Sequence, residues 1–184
     1  MSGVTERIRA YGGHPDGRTA LANFVALLVA SSQPFYPVYL YWTASTTIWP
    51  SFLTFLSTPF FLAVPALARR HALAGRSLLV LAGIANTVLC AKAFGTASGV
   101  EVFLIPCLAL ALLLFRPGEW RVAWGLGALA LAAYLGLHDR YGPPLHLYDA
   151  AELAALARLN FTSAASLTAL LCYRFAQLLA AAET

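Results

Sequence analysis

The stretch from Phe94 to Phe115, FGTASGVEVFLIPCLALALLLF, limits what this chain can fold into. It opens on a Gly-Thr-Ala-Ser-Gly turn, places one carboxylate, Glu101, at the mouth of an apolar run, and reaches Phe115 without another charge. Lys92 sits just upstream, at the end of the preceding apolar run. A turn centred on residues 96–98 makes Lys92 and Glu101 nearly symmetric and brings them side by side. Charges at a membrane boundary are costly unless they are paired or reach water along their stems. Two readings follow. One is a re-entry hairpin with a snorkelling lysine; the other is a hairpin lining the outer mouth of a ligand or signal pocket.

Composition extends this reading to the whole chain. Hydrophobic residues make up 60% and charged residues 11% of the 184, against roughly 45–50% and 25% in soluble domains. A polytopic membrane protein follows. The pI near 9.2 does not point to nucleic acid, because the arginines fall in short groups between apolar runs and never form a stripe with interleaved aromatics. The first apolar run is too long for a signal-peptide core and ends without a small-residue cleavage site, so it is read as retained.

Six spans are expected, at about 19–42, 47–68, 77–94, 99–115, 122–137 and 153–175, each long enough or nearly so to cross a bilayer. Residues 1–18 form a polar leader with an amphipathic turn around Val4–Tyr11, and 176–184 a short tail. Gln33, Pro34 and Pro37 in the first span, and Pro50, Pro59 and Pro65 in the second, predict either broken helices around a cavity or tolerated kinks. Arg69, Arg70, His71 and Arg76 are read as one loop. In the fifth span Ala128, Ala132 and Gly136 recur every four positions, which permits close helix approach. Counting Lys and Arg in the short loops places both termini in the cytoplasm, leaving Lys92, Arg140 and Arg158 toward the other side.

Motifs for chemistry are missing. The four histidines lie in the leader and loops, which disfavours haem within the bundle. His138, Asp139, His146 and Asp149 match no defined zinc spacing. Thr96 stands where a nucleophile elbow requires glycine before Ser98, and there is no C-x-x-C, P-loop or H-E-x-x-H. No catalytic residue, metal or cofactor is expected. In the sixth span Asn160, Thr162, Ser163 and Ser166 read either as interhelical glue or, with Arg158, as the lining of the same pocket as Lys92 and Glu101. Glu101 has two candidate partners, Lys92 and Arg158.

With its hairpin Gly95-Thr96-Ala97-Ser98-Gly99-Val100-Glu101-Val102-Phe103, its closing Leu112-Leu113-Leu114-Phe115, and a sixth span running from Asn160 to Tyr173-Arg174-Phe175, the chain resembles the six-helix membrane modules at the N-termini of bacterial class III adenylate cyclases, histidine kinases and diguanylate cyclases. The resemblance implies an all-α six-helix bundle in the bacterial inner membrane, forming a homodimer and regulating a cytosolic output domain or partner. It transfers Gly95, Ser98, Gly99 and Phe103 as hairpin residues, Phe115 as an inner end and Asn160 as the polar residue of the sixth span. Ending at Thr184, the sequence has no room for an output domain and is expected to be either a truncated module or a stand-alone relative. The candidate ligand-binding residues are Tyr36, Tyr39, Lys92, Glu101, Arg158 and Asn160, with a lipophilic or other small molecule as the signal. A small transporter and a lipid-modifying membrane enzyme are the alternatives, the latter resting on Glu101 and Arg158.

Overall fold

The computed structural model describes residues 2–181 and is all-helical over them. Helix α1 (Ser2–Gly12) lies in the polar leader. Helix α2 (Gly17–Ser32) starts at Asp16, whose carboxylate accepts from Thr19 N at 3.1 Å and from Arg116 at 2.8 Å. Burial alone would raise the Asp16 pKa, but these bonds, with one from the Thr19 hydroxyl, hold it at about 2. A 3₁₀ turn at Gln33–Phe35 then leads into α3 (Tyr36–Thr43). Pro34 and Pro37 supply no N–H to a continuous α-helical ladder, so the break falls where the prolines are.

The next segment departs further from an α-helix. Trp49–Ser57 is a nine-residue 3₁₀ helix before α4 (Thr58–Arg70), far longer than the usual three or four residues. Three residues per turn stack positions i and i+3, and the burial follows that period. Ser51, Thr54 and Ser57 are buried, while Trp49, Phe52 and Phe55 are exposed. The Ser51 and Thr54 hydroxyls donate to the carbonyl three residues back, at 2.5 and 2.7 Å, and the Ser57 hydroxyl has two acceptors in reach, Thr54 O at 2.7 Å and Asn86 Oδ1 at 2.8 Å. The row thus carries its polar groups through an apolar setting fully hydrogen-bonded.

Helices α5 (Ala72–Phe94), α6 (Leu104–Leu113), α7 (Trp120–Leu137) and α8 (Ala150–Ala180) complete the bundle. Only His71 separates α4 from α5, so Arg76 is not in the loop expected for it; it lies inside α5 and is 2% exposed. It donates to Leu114 O at 2.8 Å and pairs with Glu119 at 2.7 Å. Arg18 likewise donates to the carbonyls of Leu113, at 3.0 Å, and Phe115. At this end of the molecule, here termed the arginine end, the guanidinium groups satisfy carbonyls that α6 leaves unpaired as it terminates. Leu178 packs on Gly17, which places the end of α8 beside the start of α2.

Among the described residues, five segments are long and apolar enough to cross a membrane: Gly17–Thr43, Trp49–Arg70, Ala72–Phe94, Pro117–Leu137 and Ala150–Ala180. Val100–Leu113 is a shorter apolar helix between the third and fourth of these. The protein is therefore an all-α polytopic membrane protein. The Ala128–Ala132 stripe does not serve packing within the chain. Both alanines are exposed, and the face of α7 turned inward carries Ala123, Gly127, Ala130 and Ala133. Close approach occurs instead at Gly75, where a Cβ would lie 2.6 Å from Ala68 Cβ and 2.7 Å from its Cα.

Gly75→Ala should therefore lower stability by about 1–3 kcal/mol, because backbone on α4 cannot give way like the tip of a side chain. Ala132→Leu should change the stability of the single chain by no more than about 0.5 kcal/mol. Thermal unfolding of both variants in nanodiscs checks the contrast.

Candidate ligand cavity and hairpin-end latch

At the end opposite the arginines, the chain turns twice between α5 and α6. Gly95 and Gly99 have φ of 80° and 69°, backbone that side chains with a Cβ resist. Gly99 also lies against Ala157 of α8, where a Cβ would sit 3.3 Å from its Cα. Between the glycines, Ser98 closes the turn by donating from Oγ to Gly95 O at 2.6 Å. A 3₁₀ turn at Val100–Phe103 then enters α6. Asn160 of α8, fully buried, holds this hairpin in place: its Nδ2 donates to Ser98 O at 3.0 Å, and its Oδ1 accepts from Tyr36 at 3.1 Å.

Below this junction lies a cavity of about 360 Å³ bounded by α2, α3, the long 3₁₀ helix, α4, α5, α6 and α8. Tyr36, Tyr39, Phe103 and Asn160 line it, as do Gln33, Asn86, Ser163 and Ser166, among mostly aliphatic side chains. The exposed lining residues Ser32, Tyr39 and Ser166 belong to α2, α3 and α8. The cavity therefore opens sideways between those helices. Its size is at the lower end of the range for small-molecule sites. Gln33 secures one wall. Its Nε2 donates to Thr54 O at 2.8 Å and Ser57 Oγ at 2.6 Å, and its Oε1 accepts from Thr58 at 2.5 Å.

The expected charged residues are not in this cavity, and they do not meet one another. Lys92 donates from Nζ to Pro143 O at 2.7 Å, tying the 138–149 loop to α5. Leu145 N→Ala93 O, at 3.1 Å, and Tyr148→Thr47 O, also 3.1 Å, fasten the same loop. Arg158 is exposed, with no ion pair among the described residues. Glu101 pairs with neither cation: its Oε2 meets His138 Nδ1 at 2.6 Å. The symmetric turn expected of the sequence is replaced by two glycine-hinged 3₁₀ turns, which swing Glu101 away from Lys92 toward α7.

Glu101 and His138 border a second recess between α6 and α7, with Leu104, Leu131 and Tyr134 among its walls. The hydrogen bond to Glu101 raises the His138 pKa, with the charges of Glu101 and Asp139 acting in the same direction. Tyr141 lies nearby, its phenol pushed up to about 12 by burial and by the Glu101 charge. Among the described residues neither the Tyr141 hydroxyl nor Glu101 Oε1 has a hydrogen-bond partner within 3.5 Å, although the Glu101 carboxylate is close enough to act on the phenol.

Sequence reasoning singled out Tyr36, Tyr39, Asn160 and the hairpin glycines but missed Gln33, Asn86 and Ser57 as parts of a site. Their signal was present, since polar side chains inside apolar spans carry a prior for function or for packing against other helices. His138 was read as an ordinary loop residue; nothing in its sequence spacing ties it to Glu101. Among the described residues, no three or more His, Cys, Asp or Glu side chains are placed to hold a metal ion, and the three cysteines form no disulfide.

Comparison with known proteins gives one family. The family model MASE7 matches residues 9–184, while no curated protein matches the chain.

The Glu101–His138 pair, a latch between the hairpin and the end of α7, has a pH signature. A histidine whose folded pKa is raised contributes stability that is complete below its ordinary value of 6.5 and is lost as pH rises through the raised value. Wild-type protein in nanodiscs should therefore unfold at lower temperature as pH is raised from 6 toward 8. Glu101→Gln should flatten that dependence. A slope equally steep in the variant would assign it to other groups.

Proposed function

The chain belongs to the MASE7 family, one of the membrane-associated sensor modules, and we propose that it receives a lipophilic or other small-molecule signal within the membrane and passes it to a cytosolic output of cyclase or kinase type. Such modules are polytopic, non-catalytic and often fused to these outputs, so the chain is a membrane sensor rather than an enzyme. In this reading Val100–Leu113 is a sixth span, residues 19–175 form the membrane domain, and both termini face the cytoplasm of a bacterium, with residues 176–184 leading toward the output. Two copies associate as a homodimer, for which the outward stripe of Ala128 and Ala132 on α7 offers a contact.

The observation that carries the proposal is the cavity. It lies against α8, the helix that ends at the arginine face, and Asn160, Ser163, Ser166, Leu167 and Leu170 of that helix form one side of it. A molecule occupying the space would press on the last helix before any downstream domain. Binding shifts an equilibrium only through different contacts in two states, and a cavity walled by proline-broken segments on one side and a long helix on the other supplies such contacts.

The test joins residues 1–184 to an adenylate cyclase catalytic domain and fills the cavity with Ser163→Phe. Cyclase output in membranes should shift at least about threefold, on the scale of usual coupling energies, while expression and unfolding temperature hold. Unchanged output from a folded variant would sink the proposal. For orientation, Leu145→Cys should react with an impermeant thiol reagent from outside the cell and His71→Cys only after lysis.

A further inference from the structure

We propose that the cavity selects an uncharged lipophile bearing a hydrogen-bond acceptor, such as a ketone or ester oxygen on an aliphatic chain, and that the Asn86 amide reads that oxygen. The inference rests on the cavity being the signal site and specifies what that site accepts.

Charge comes first. No Asp, Glu, Lys, Arg or His lines the cavity. The Glu101–His138 pair belongs to the other recess, Lys92 is held on the 138–149 loop, and Arg158 faces outward. A carboxylate or ammonium carried into this space would give up its hydration and meet no counter-ion, so ionised amphiphiles are excluded by the wall itself.

The polar groups then narrow the choice. Most are committed to partners within the protein. Gln33 uses both amide hydrogens and its oxygen. Asn160 is held by Ser98 and Tyr36, and the Thr87 hydroxyl donates to Gly83 O at 2.9 Å. Asn86 is different. Its Oδ1 accepts from Ser57 Oγ at 2.8 Å, and the Cys90 thiol is directed at the same oxygen at 4.0 Å. Its Nδ2 donates to no acceptor among the described residues.

The direction of that amide follows from the hydrogens available. Ser57 has a single hydroxyl hydrogen and two acceptors within reach, Thr54 O and Asn86 Oδ1. Gln33 already donates to Thr54 O, so that carbonyl stays hydrogen-bonded when the Ser57 hydrogen goes to Asn86. The thiol of Cys90 is a donor as well. The structure thus turns the amide oxygen toward both neighbours, and among the described residues the NH₂ group is left without a partner. Asn86 borders the cavity. Ser163 and Ser166, whose hydroxyls also have no partner among the described residues, lie on the wall formed by α8. An acceptor on the ligand completes the donor inventory, and its aliphatic chain covers Val25, Leu79 and Leu110.

The experiment uses the full chain, purified in detergent, with radiolabelled 2-dodecanone as the probe. Dodecanoate, dodecylamine and dodecane serve as competitors at pH 7. Saturable 2-dodecanone binding is expected, with dodecanoate and dodecylamine competing at least about tenfold more weakly than unlabelled ketone. Asn86→Leu should weaken ketone binding by about tenfold, the scale of one hydrogen bond, and leave dodecane competition unchanged. Competition by dodecanoate or dodecylamine equal to that of the ketone, or unaltered ketone affinity in folded Asn86→Leu, would overturn this assignment and leave the sensor reading standing. No saturable binding of the probe, with none of the competitors protecting the cavity from thiol labelling of a Ser166→Cys variant, would overturn both. The competition series needs no variant at position 86, so the assignment stays testable even if Asn86→Leu does not fold.

Discussion

The amide of Asn160 joins parts of the chain 62 and 124 residues apart in a single pair of hydrogen bonds. One connects α8 to the hairpin and the other connects it to the proline-broken end of the first span. In an apolar medium neither bond competes with bulk water, and each satisfies a group that irregular backbone or burial would otherwise leave bare. The remaining architecture of the hairpin end depends on that junction. It permits 3₁₀ turns where a plain helix hairpin would pack poorly, and it keeps α3 and α8 together while a cavity persists below them. The Ser51 and Thr54 hydroxyls on the long 3₁₀ helix meet the same constraint by local means, each turning back to a carbonyl three residues earlier.

At the opposite end the same requirement is met by charge. Arg18 and Arg76 donate to the last carbonyls of α6, and Arg69 reaches the carbonyls of Ala10 and Tyr11 at the end of α1. Positive charge at helix C-termini is favourable for the dipole as well as for hydrogen bonding. These residues also belong to the Lys/Arg asymmetry from which the sequence suggests an orientation. Topology signal and helix capping are thus served by the same side chains.

Much of the fold was legible because hydrophobic length alone marks spans. The expected segments 47–68 and 122–137 match Trp49–Arg70 and Pro117–Leu137 closely. The third was expected to start at Ser77 but begins at Ala72, since a buried arginine looked like a loop residue until its carbonyl and Glu119 partners were visible. The alanine stripe of α7 was legible as a stripe but not as outward-facing. In lipid both faces of a helix are apolar, so periodicity loses its usual meaning. Of the site, residues marked by polarity within spans could be nominated, and Asn160 and Tyr36 do lie together. The partner of Glu101 could not be foreseen, because His138 reaches it only after α7 has packed beside α6. The cation Lys92 is drawn instead to a carbonyl in a loop 51 residues away.

Among the apolar segments, α8 alone contains neither proline nor glycine. Its 31 residues extend about 46 Å, well beyond the roughly 30 Å of a hydrocarbon layer. Its neighbours can absorb a local disturbance at their breaks, but a continuous helix of this kind behaves as a stiff lever. Asn160 fixes it about a third of the way along, and the stretch from there to Ala180 covers about 30 Å. A tilt of a few degrees around that pivot displaces the far end by one to two ångströms, by the same geometry. For any given tilt, the displacement at the far end of α8 therefore grows in proportion to arm length.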